Sequence, residues 1–199
     1  MRPCFYADIR IRNGATVGKG GISTLPVATR LFSVLHGIFR SHPGRFALGF
    51  PLMTEGEFRH PGHVFRVFFE SEEEWREILW KELNQNERIG AFVFLPEKPK
   101  KVPVSFSGPW IEYSRFRVPT RKSCSPRGEA PMGWTPSSLR EKRLERAEQF
   151  PFFRLHSKST GERFSLHVAR REGSPTSECF PDSFGLSRGQ NSFALPMEP

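Results

Sequence analysis

The order in which the apolar pattern switches between a period of two and one of about 3.6 residues constrains this chain more than any single motif. Phe5, Ala7, Ile9 and Ile11 alternate with Tyr6, Asp8, Arg10 and Arg12, as in a half-buried strand. Asn13 to Gly21 is a glycine-rich connector without the G-K-[ST] ending of a phosphate loop. From Leu25 to about Arg40, Val27, Leu31, Phe32, Val34, Leu35 and Phe39 recur at helical spacing, and Ser41-His42-Pro43-Gly44 predicts the stop. Phe46–Phe50 and Val64–Phe69 read as strands. Ser71, followed by Glu72, Glu73 and Glu74, predicts an N-capped helix running through Trp75, Ile78, Leu79 and Trp80 to about Leu83. Ile89 to Leu95 reads as a closing strand. The order β-α-β-β-α-β is the ferredoxin-like split unit, so the expected fold class is α+β, with this domain over residues 1–101.

Pro96 to Pro109 is rich in proline and lysine and predicts a boundary, with a smaller α+β domain over residues 102–199. Ile111 to Val118 alternates like a strand and carries Arg115 and Arg117 on the face of Tyr113. Ser123 to Pro136 reads as a loop. Ser137 to Gln149 reads as a helix, with Ser138 and Glu141 at capping-box spacing. Phe152–Ser157 and Arg163–Ala169 flank Ser159-Thr160-Gly161 as a hairpin. Gly173 to Pro181 is a second loop, and Phe184 to Phe193 a final short element.

Charge is placed unevenly. The 199 residues carry 30 Lys/Arg and 21 Asp/Glu, a net of +9. Tyr113 to Arg171 holds 14 of the basic and 5 of the acidic residues, which leaves 16 of each elsewhere. The whole excess lies in one stretch, which favours a polyanion, and nucleic acid is the first candidate. In the helix Ser137–Gln149, Lys142, Arg143 and Arg146 share one side and Glu141, Glu145 and Glu148 the other. Lys142 and Arg146 are like charges four apart, a repulsion of a few tenths of a kcal/mol that a phosphate ladder would justify. An ordinary solvated helix is the plain alternative.

The chemistry-bearing residues exclude several classes. Cys4, Cys124 and Cys179 are scattered and form no C-x-x-C pair, which fits a reduced compartment rather than a disulfide scaffold or zinc site. Met1 to Tyr6 lacks a signal peptide's apolar run and no stretch reaches membrane-span length, so a cytoplasmic protein without a membrane partner is expected. His60 and His63 form H-x-x-H in a Pro/Gly loop without a third ligand. His36 lies mid-helix beside Gly37, a residue costly in a helix by about 1 kcal/mol, whose missing side chain is expected to clear space for the imidazole. A structural histidine and a catalytic one both remain open there. Gly90-Ala91-Phe92-Val93-Phe94 loosely matches an RNA-recognition strand motif, but core packing explains it better. Without nucleophile elbow, zinc box, paired carboxylates or nucleotide loop, the inventory suits attack by a ribose 2′-hydroxyl, because the substrate brings the nucleophile.

Several segments together resemble a family. Phe152-Phe153-Arg154-Leu155-His156-Ser157-Lys158-Ser159-Thr160-Gly161-Glu162-Arg163-Phe164 resembles the S-x-S-T-G-x-x-F segment of the CRISPR repeat-processing endoribonucleases of type I-F systems. Phe184-Gly185-Leu186-Ser187-Arg188-Gly189 is similar to their Y-G-L-S-[KR]-G, and Leu31 to Gly37 to their first helix. Leu48-Gly49-Phe50-Pro51 resembles their G-[VF]-S-F-P strand, and Tyr113-Ser114-Arg115-Phe116-Arg117 their S-R-x-[QR] strand. The match is collinear from end to end.

The resemblance implies cleavage of precursor CRISPR RNA at the 3′ base of the repeat hairpin, without a metal or other cofactor, leaving a 2′,3′-cyclic phosphate and a 5′-hydroxyl. It implies a catalytic histidine at His36, with Arg40 at the family's alternative position one turn later. Ser157 would hold the ribose, with Lys158, Ser159 and Thr160 beside it. Phe164 would stack under the terminal base pair, Arg115 and Arg117 would read the stem base, and the helix bearing Arg140, Lys142, Arg143 and Arg146 would enter the major groove. Phe184 stands where the family has an active-site tyrosine, so that hydroxyl is missing. The implied partners are the repeat stem-loop and mature guide RNA, and the backbone subunits of a type I-F surveillance complex; the free protein would be a monomer. Two readings stay open: an active endoribonuclease, and a non-catalytic subunit that only caps the guide hairpin.

Overall fold

The computed structural model describes residues 1–12, 24–118, 136–157 and 161–197. Its first half contains β1 (Phe5–Ile11), α1 (Thr24–Ser41), β2 (Ala47–Gly49) and β3 (Val64–Phe69). A helix α2 follows, π-wound over Glu74–Trp80 and α-wound over Lys81–Asn84, then β4 (Val93–Phe94) and β5 (Lys100–Lys101). The sheet order is β2-β3-β1-β4, antiparallel throughout, with β5 also pairing β1. That is the strand order of the expected split unit. Helix α1 buries Ala28, Leu31, Phe32, Leu35, Ile38 and Phe39, the stripe its spacing predicts. At the start of α2 the Ser71 hydroxyl accepts the Glu74 N–H, and the Glu74 carboxylate accepts the N–H groups of Ser71 and Glu70, so the expected cap is a full capping box.

One expectation about this sheet is refined and one corrected. The polar face of β1 is solvated only at Arg10 and beyond: Tyr6 is buried, and Asp8 forms a bidentate pair with buried Arg66 of β3, whose guanidinium also lies over the Tyr6 ring. Burying a guanidinium this deeply requires such a partner. The closing strand is also shorter than Ile89–Leu95. Gly90–Phe92 winds into a single 3₁₀ turn held by Gly90 N–H to the Asn86 carbonyl and Phe92 N–H to Ile89, and only Val93–Phe94 pairs with β1. Most of the RNA-recognition look-alike is therefore not strand.

The second half contains β6 (Trp110–Phe116), α3 (Pro136–Ala147), β7 (Phe152–His156), β8 (Arg163–Glu172) and β9 (Leu195–Pro196), with sheet order β7-β8-β6-β9. The hairpin forms in register, Phe152 opposite His167 and His156 opposite Arg163. Strand β8 runs beyond Ala169 to Glu172 because β6 pairs along it to Ile111. The expected element Phe184–Phe193 is instead a strap of turns and isolated bridges, and the last strand falls at Leu195–Pro196. The loop read at Ser123–Pro136 and the turn residues Lys158, Ser159 and Thr160 lie outside the described residues, apart from the Pro136 backbone.

The two sheets share one apolar core. Phe32 of α1 stacks on Phe153 of β7 at 4.2 Å, and the Tyr113 hydroxyl of β6 donates to the Phe50 carbonyl at 3.0 Å. The strap crosses both sheets: the Gly185 carbonyl accepts the Leu48 N–H, and Ser187 N–H donates to Tyr113. Gly185 has φ +77°, and a Cβ there would come within 2.7 Å of the Phe39 ring and 3.1 Å of the Leu48 nitrogen. Only glycine fits that crossing. Among the described residues, no helix is long and apolar enough to cross a membrane.

Candidate active site

His36 follows Phe32 by one turn of α1, and both rings stack on Phe184 of the strap, the imidazole at 3.9 Å and 7° and Phe32 at 5.7 Å. The Nδ1 of His36 lies 2.6 Å from the Ser183 carbonyl oxygen. A carbonyl only accepts, so Nδ1 carries the proton in this bond and Nε2 is the nitrogen left for a substrate. Burial lowers the His36 pKa from its ordinary value; the Ser183 bond and the Asp182 carboxylate oppose this, and the charges of Arg40 and Arg115 add to it. The imidazole is thus neutral near pH 7, a proton acceptor at Nε2. Gly37 does not have the expected role. A side chain there would meet nothing within 4 Å, so it opens onto a groove against 82–88 rather than clearing room for His36.

Arg115 of β6 links this pair to the hairpin. Its guanidinium lies 5.6 Å from the ring centre of Phe184 and 5.6 Å from that of Phe164 on β8. His36, Phe184, Arg115 and Phe164 thus form one continuous line of stacked groups, drawn from four distant parts of the chain. Phe164, with Arg154 and Arg163, also lines a depression of about 490 Å³ on the hairpin. Ser157 sits at the root of the hairpin turn, its N–H donating to the Glu162 carbonyl and its own carbonyl accepting the Gly161 N–H.

Beyond Arg115 opens a cleft of about 900 Å³ between α3 and the second sheet. It is lined by Arg115 and Arg117, by Arg143 and Arg146 of α3, and by Arg170, Arg171 and Arg188. Against these stand Glu55, Glu112 and Asp182. Among the described residues, the contacts that hold helix α3 lie towards its C-terminal end. Ala147 and Phe150 are buried, Arg143 and Arg146 lie over the Phe116 ring, Gly56 N–H donates to Gln149, and Arg59 donates to the Glu148 carbonyl. The basic stripe therefore divides: Arg143 and Arg146 face the cleft, Arg140 is half-buried, and Lys142 is exposed outside the lining.

Arg170 and Arg171 were visible only as part of the charge block, and Arg188 only as the [KR] position of the family-like segment. Neighbours on β8, Arg170 and Arg171 take different partners, Arg170 the Met53 carbonyl and Arg171 the Glu112 carboxylate. Glu112 was missed. It is a buried carboxylate accepting bonds from the hydroxyls of Ser187 and Ser192 and from Arg171, which together hold its pKa below the usual range against the opposing effect of burial. It fastens the strap to β6, the strand that carries Arg115. Among the described residues, no three His, Cys, Asp or Glu side chains gather as metal ligands.

The family model for CRISPR-associated protein (Cas_Csy4) matches residues 6–197, spanning both sheets, the strap and every site residue named above. The chain belongs to the Cas_Csy4 family. These are the repeat-processing endoribonucleases of type I-F CRISPR systems, so this Cas_Csy4 member acts on CRISPR repeat RNA. No curated protein matches the chain. Seven arginines against three carboxylates make the cleft a cationic surface that suits a polyanion. Replacing Arg143 and Arg146 together by alanine is expected to weaken hairpin binding and flatten its dependence on salt by about two units, one per lost phosphate contact. Titrations of labelled hairpin at several salt concentrations measure this; an unchanged slope would make α3 a merely solvated surface. Adding Lys142→Ala should bring at most about one further unit.

Proposed function

We propose that this Cas_Csy4 protein binds the repeat stem-loop and cuts precursor CRISPR RNA at the 3′ base of the hairpin, using the ribose 2′-hydroxyl beside the scissile phosphate as nucleophile. The observation that carries the reading is the state of His36. Its Nδ1–H is committed to the Ser183 carbonyl, its face to Phe184, and its Nε2 has no partner among the described residues, at the end of a line of groups leading into the arginine cleft.

In the reaction Nε2 accepts the 2′-hydroxyl proton as the 2′-oxygen attacks phosphorus. The bond from phosphorus to the 5′-oxygen breaks, and that oxygen takes a proton from the imidazolium or from water. The products are a 2′,3′-cyclic phosphate and a 5′-hydroxyl, with all atoms conserved. Arg115 and Arg40 add positive charge near the imidazole, where the phosphorane gathers negative charge. Ser157 holds the ribose, Phe164 stacks under the last base pair, and Arg117 with Arg115 reads the stem base. The cleft arginines keep the product hairpin bound, so the protein remains on the 3′ end of the guide RNA, beside the backbone subunits of the surveillance complex.

A ribose nucleophile requires no Lewis acid. Cleavage of labelled repeat RNA is expected to proceed in EDTA at a rate within about twofold of that in magnesium, with a 5′ fragment that resists phosphatase until acid opens the cyclic end. Loss of cutting in EDTA, restored by magnesium, would contradict the mechanism. A guide-capping subunit without activity is the second reading, and one observation favours it: Phe184 offers the site no hydroxyl.

A further inference from the structure

We infer that Asp182 is a positioning residue whose side chain folds the turn that presents the Ser183 carbonyl to His36, and so decides which imidazole nitrogen carries the proton. The inference rests on the proton role proposed for His36, and nothing in the sequence marks Asp182. Its Oδ1 accepts the N–H of Phe184 at 2.8 Å and of Leu186 at 3.1 Å. Its backbone carbonyl accepts the Gly185 N–H at 2.9 Å, and its own N–H donates to the Leu186 carbonyl at 3.0 Å. Every hydrogen bond Asp182 makes among the described residues thus closes the turn Asp182–Leu186.

Ser183 and Phe184 are the two residues enclosed by the bond from Gly185 N–H to the Asp182 carbonyl. One contributes the carbonyl 2.6 Å from His36 Nδ1, the other the ring on which the imidazole lies. The chain is fixed further by the Gly185 carbonyl on Leu48 and, beyond the turn, by Ser187 on Tyr113 and Glu112. Between those anchors, the Asp182 side chain is what satisfies the N–H groups of Phe184 and Leu186, both buried residues. Without an acceptor there, the two N–H groups must turn outward to find water, and the Ser183 carbonyl turns with them. His36 would then lose the bond that holds its proton on Nδ1, and its Nε2 would cease to be reliably free.

The carboxylate also acts electrostatically on His36 and Arg115. Geometry and charge are separated by two substitutions, because asparagine keeps the Oδ1 acceptor and loses the charge, whereas alanine loses both. Long-range ¹H–¹⁵N spectra of the RNA-free, full-length protein, recorded above the His36 titration, report its tautomer directly. The wild type is expected to show Nδ1–H and Asp182→Ala a mixture of tautomers, with cleavage at saturating enzyme about tenfold to a hundredfold slower. Asp182→Asn is expected to keep Nδ1–H and recover most of the rate. A folded Asp182→Ala protein that retains Nδ1–H would overturn the inference, as would an Asp182→Asn protein that loses it. If Asp182→Ala does not fold, the asparagine variant decides alone. A lost tautomer with unchanged cleavage would leave Asp182 in its positioning role and remove the proton role from His36.

Discussion

Replacing His36 with alanine is expected to slow repeat cleavage by about a hundredfold or more, while affinity for the hairpin stays within about threefold of wild type. The two effects separate because their causes lie in different places. The proposed RNA contacts, the cleft arginines and the Phe164 face, lie on the second sheet, the strap and α3, whereas His36 stands on α1 with no partner at Nε2 among the described residues. The substitution also removes the stack on Phe184, so thermal unfolding must accompany the kinetics; a loss of about 1 kcal/mol is in keeping with one aromatic pair.

A pH profile supplies the sign. A base must be unprotonated, and burial holds the His36 pKa below its ordinary 6.5. The wild-type rate measured at subsaturating enzyme should therefore be level through neutral pH and fall only below that value, as acid protonates Nε2. That acid limb should vanish in His36→Ala. Ser157→Ala should be milder, since the role proposed for Ser157 is to orient the ribose without moving the proton. Wild-type cutting by His36→Ala would place the proton carrier elsewhere. His42 would be next, although its Nδ1 is already close to the Ile38 carbonyl.

The elements with a clean period were readable in the chain. Helix α1, strand β3 and the β7–β8 hairpin fall within a residue or a few of their expected spans: α1 and the hairpin bury one face, and β3, buried at every residue, is a continuous apolar run broken only by Arg66. Ile89–Leu95 was misread because a short apolar run looks the same whether it pairs as a strand or turns to bury one residue, here Ile89. The strap had no period to read. Its path is set by Asp182 bonding back to the backbone, by Gly185 passing against Phe39, and by Glu112 on a strand far earlier in the chain.

The candidate site was legible in parts. His36 and the basic helix stood out by residue type and spacing, and the family likeness supplied Ser157, Phe164, Arg115 and Arg117. That likeness also put Phe184 at the site, yet not its face-to-face stack on His36. The contact depends on a turn whose geometry has no local signature in the chain. Nor could a charge block say which arginines line the cleft; long-range partners decide, the Met53 carbonyl for Arg170, Glu112 for Arg171, and the Phe116 ring for Arg143 and Arg146.

The central claim is that the RNA carries its own nucleophile. It is tested most directly with a repeat RNA bearing a single 2′-deoxy nucleotide immediately 5′ to the scissile phosphate. Removing one oxygen leaves the stem, its phosphates and the stacked base pair unchanged, so binding to the wild-type protein should match the all-ribose RNA within about twofold. Cutting should fall by at least about ten-thousandfold, to background, because no rearrangement of the protein replaces a missing nucleophile. A guide-capping subunit would cut neither RNA, and the all-ribose control identifies that case. Abolished cutting of the deoxy RNA alone, with binding intact, is the expected result; cleavage of the deoxy RNA at the wild-type rate would contradict ribose attack and the role given to His36 with it.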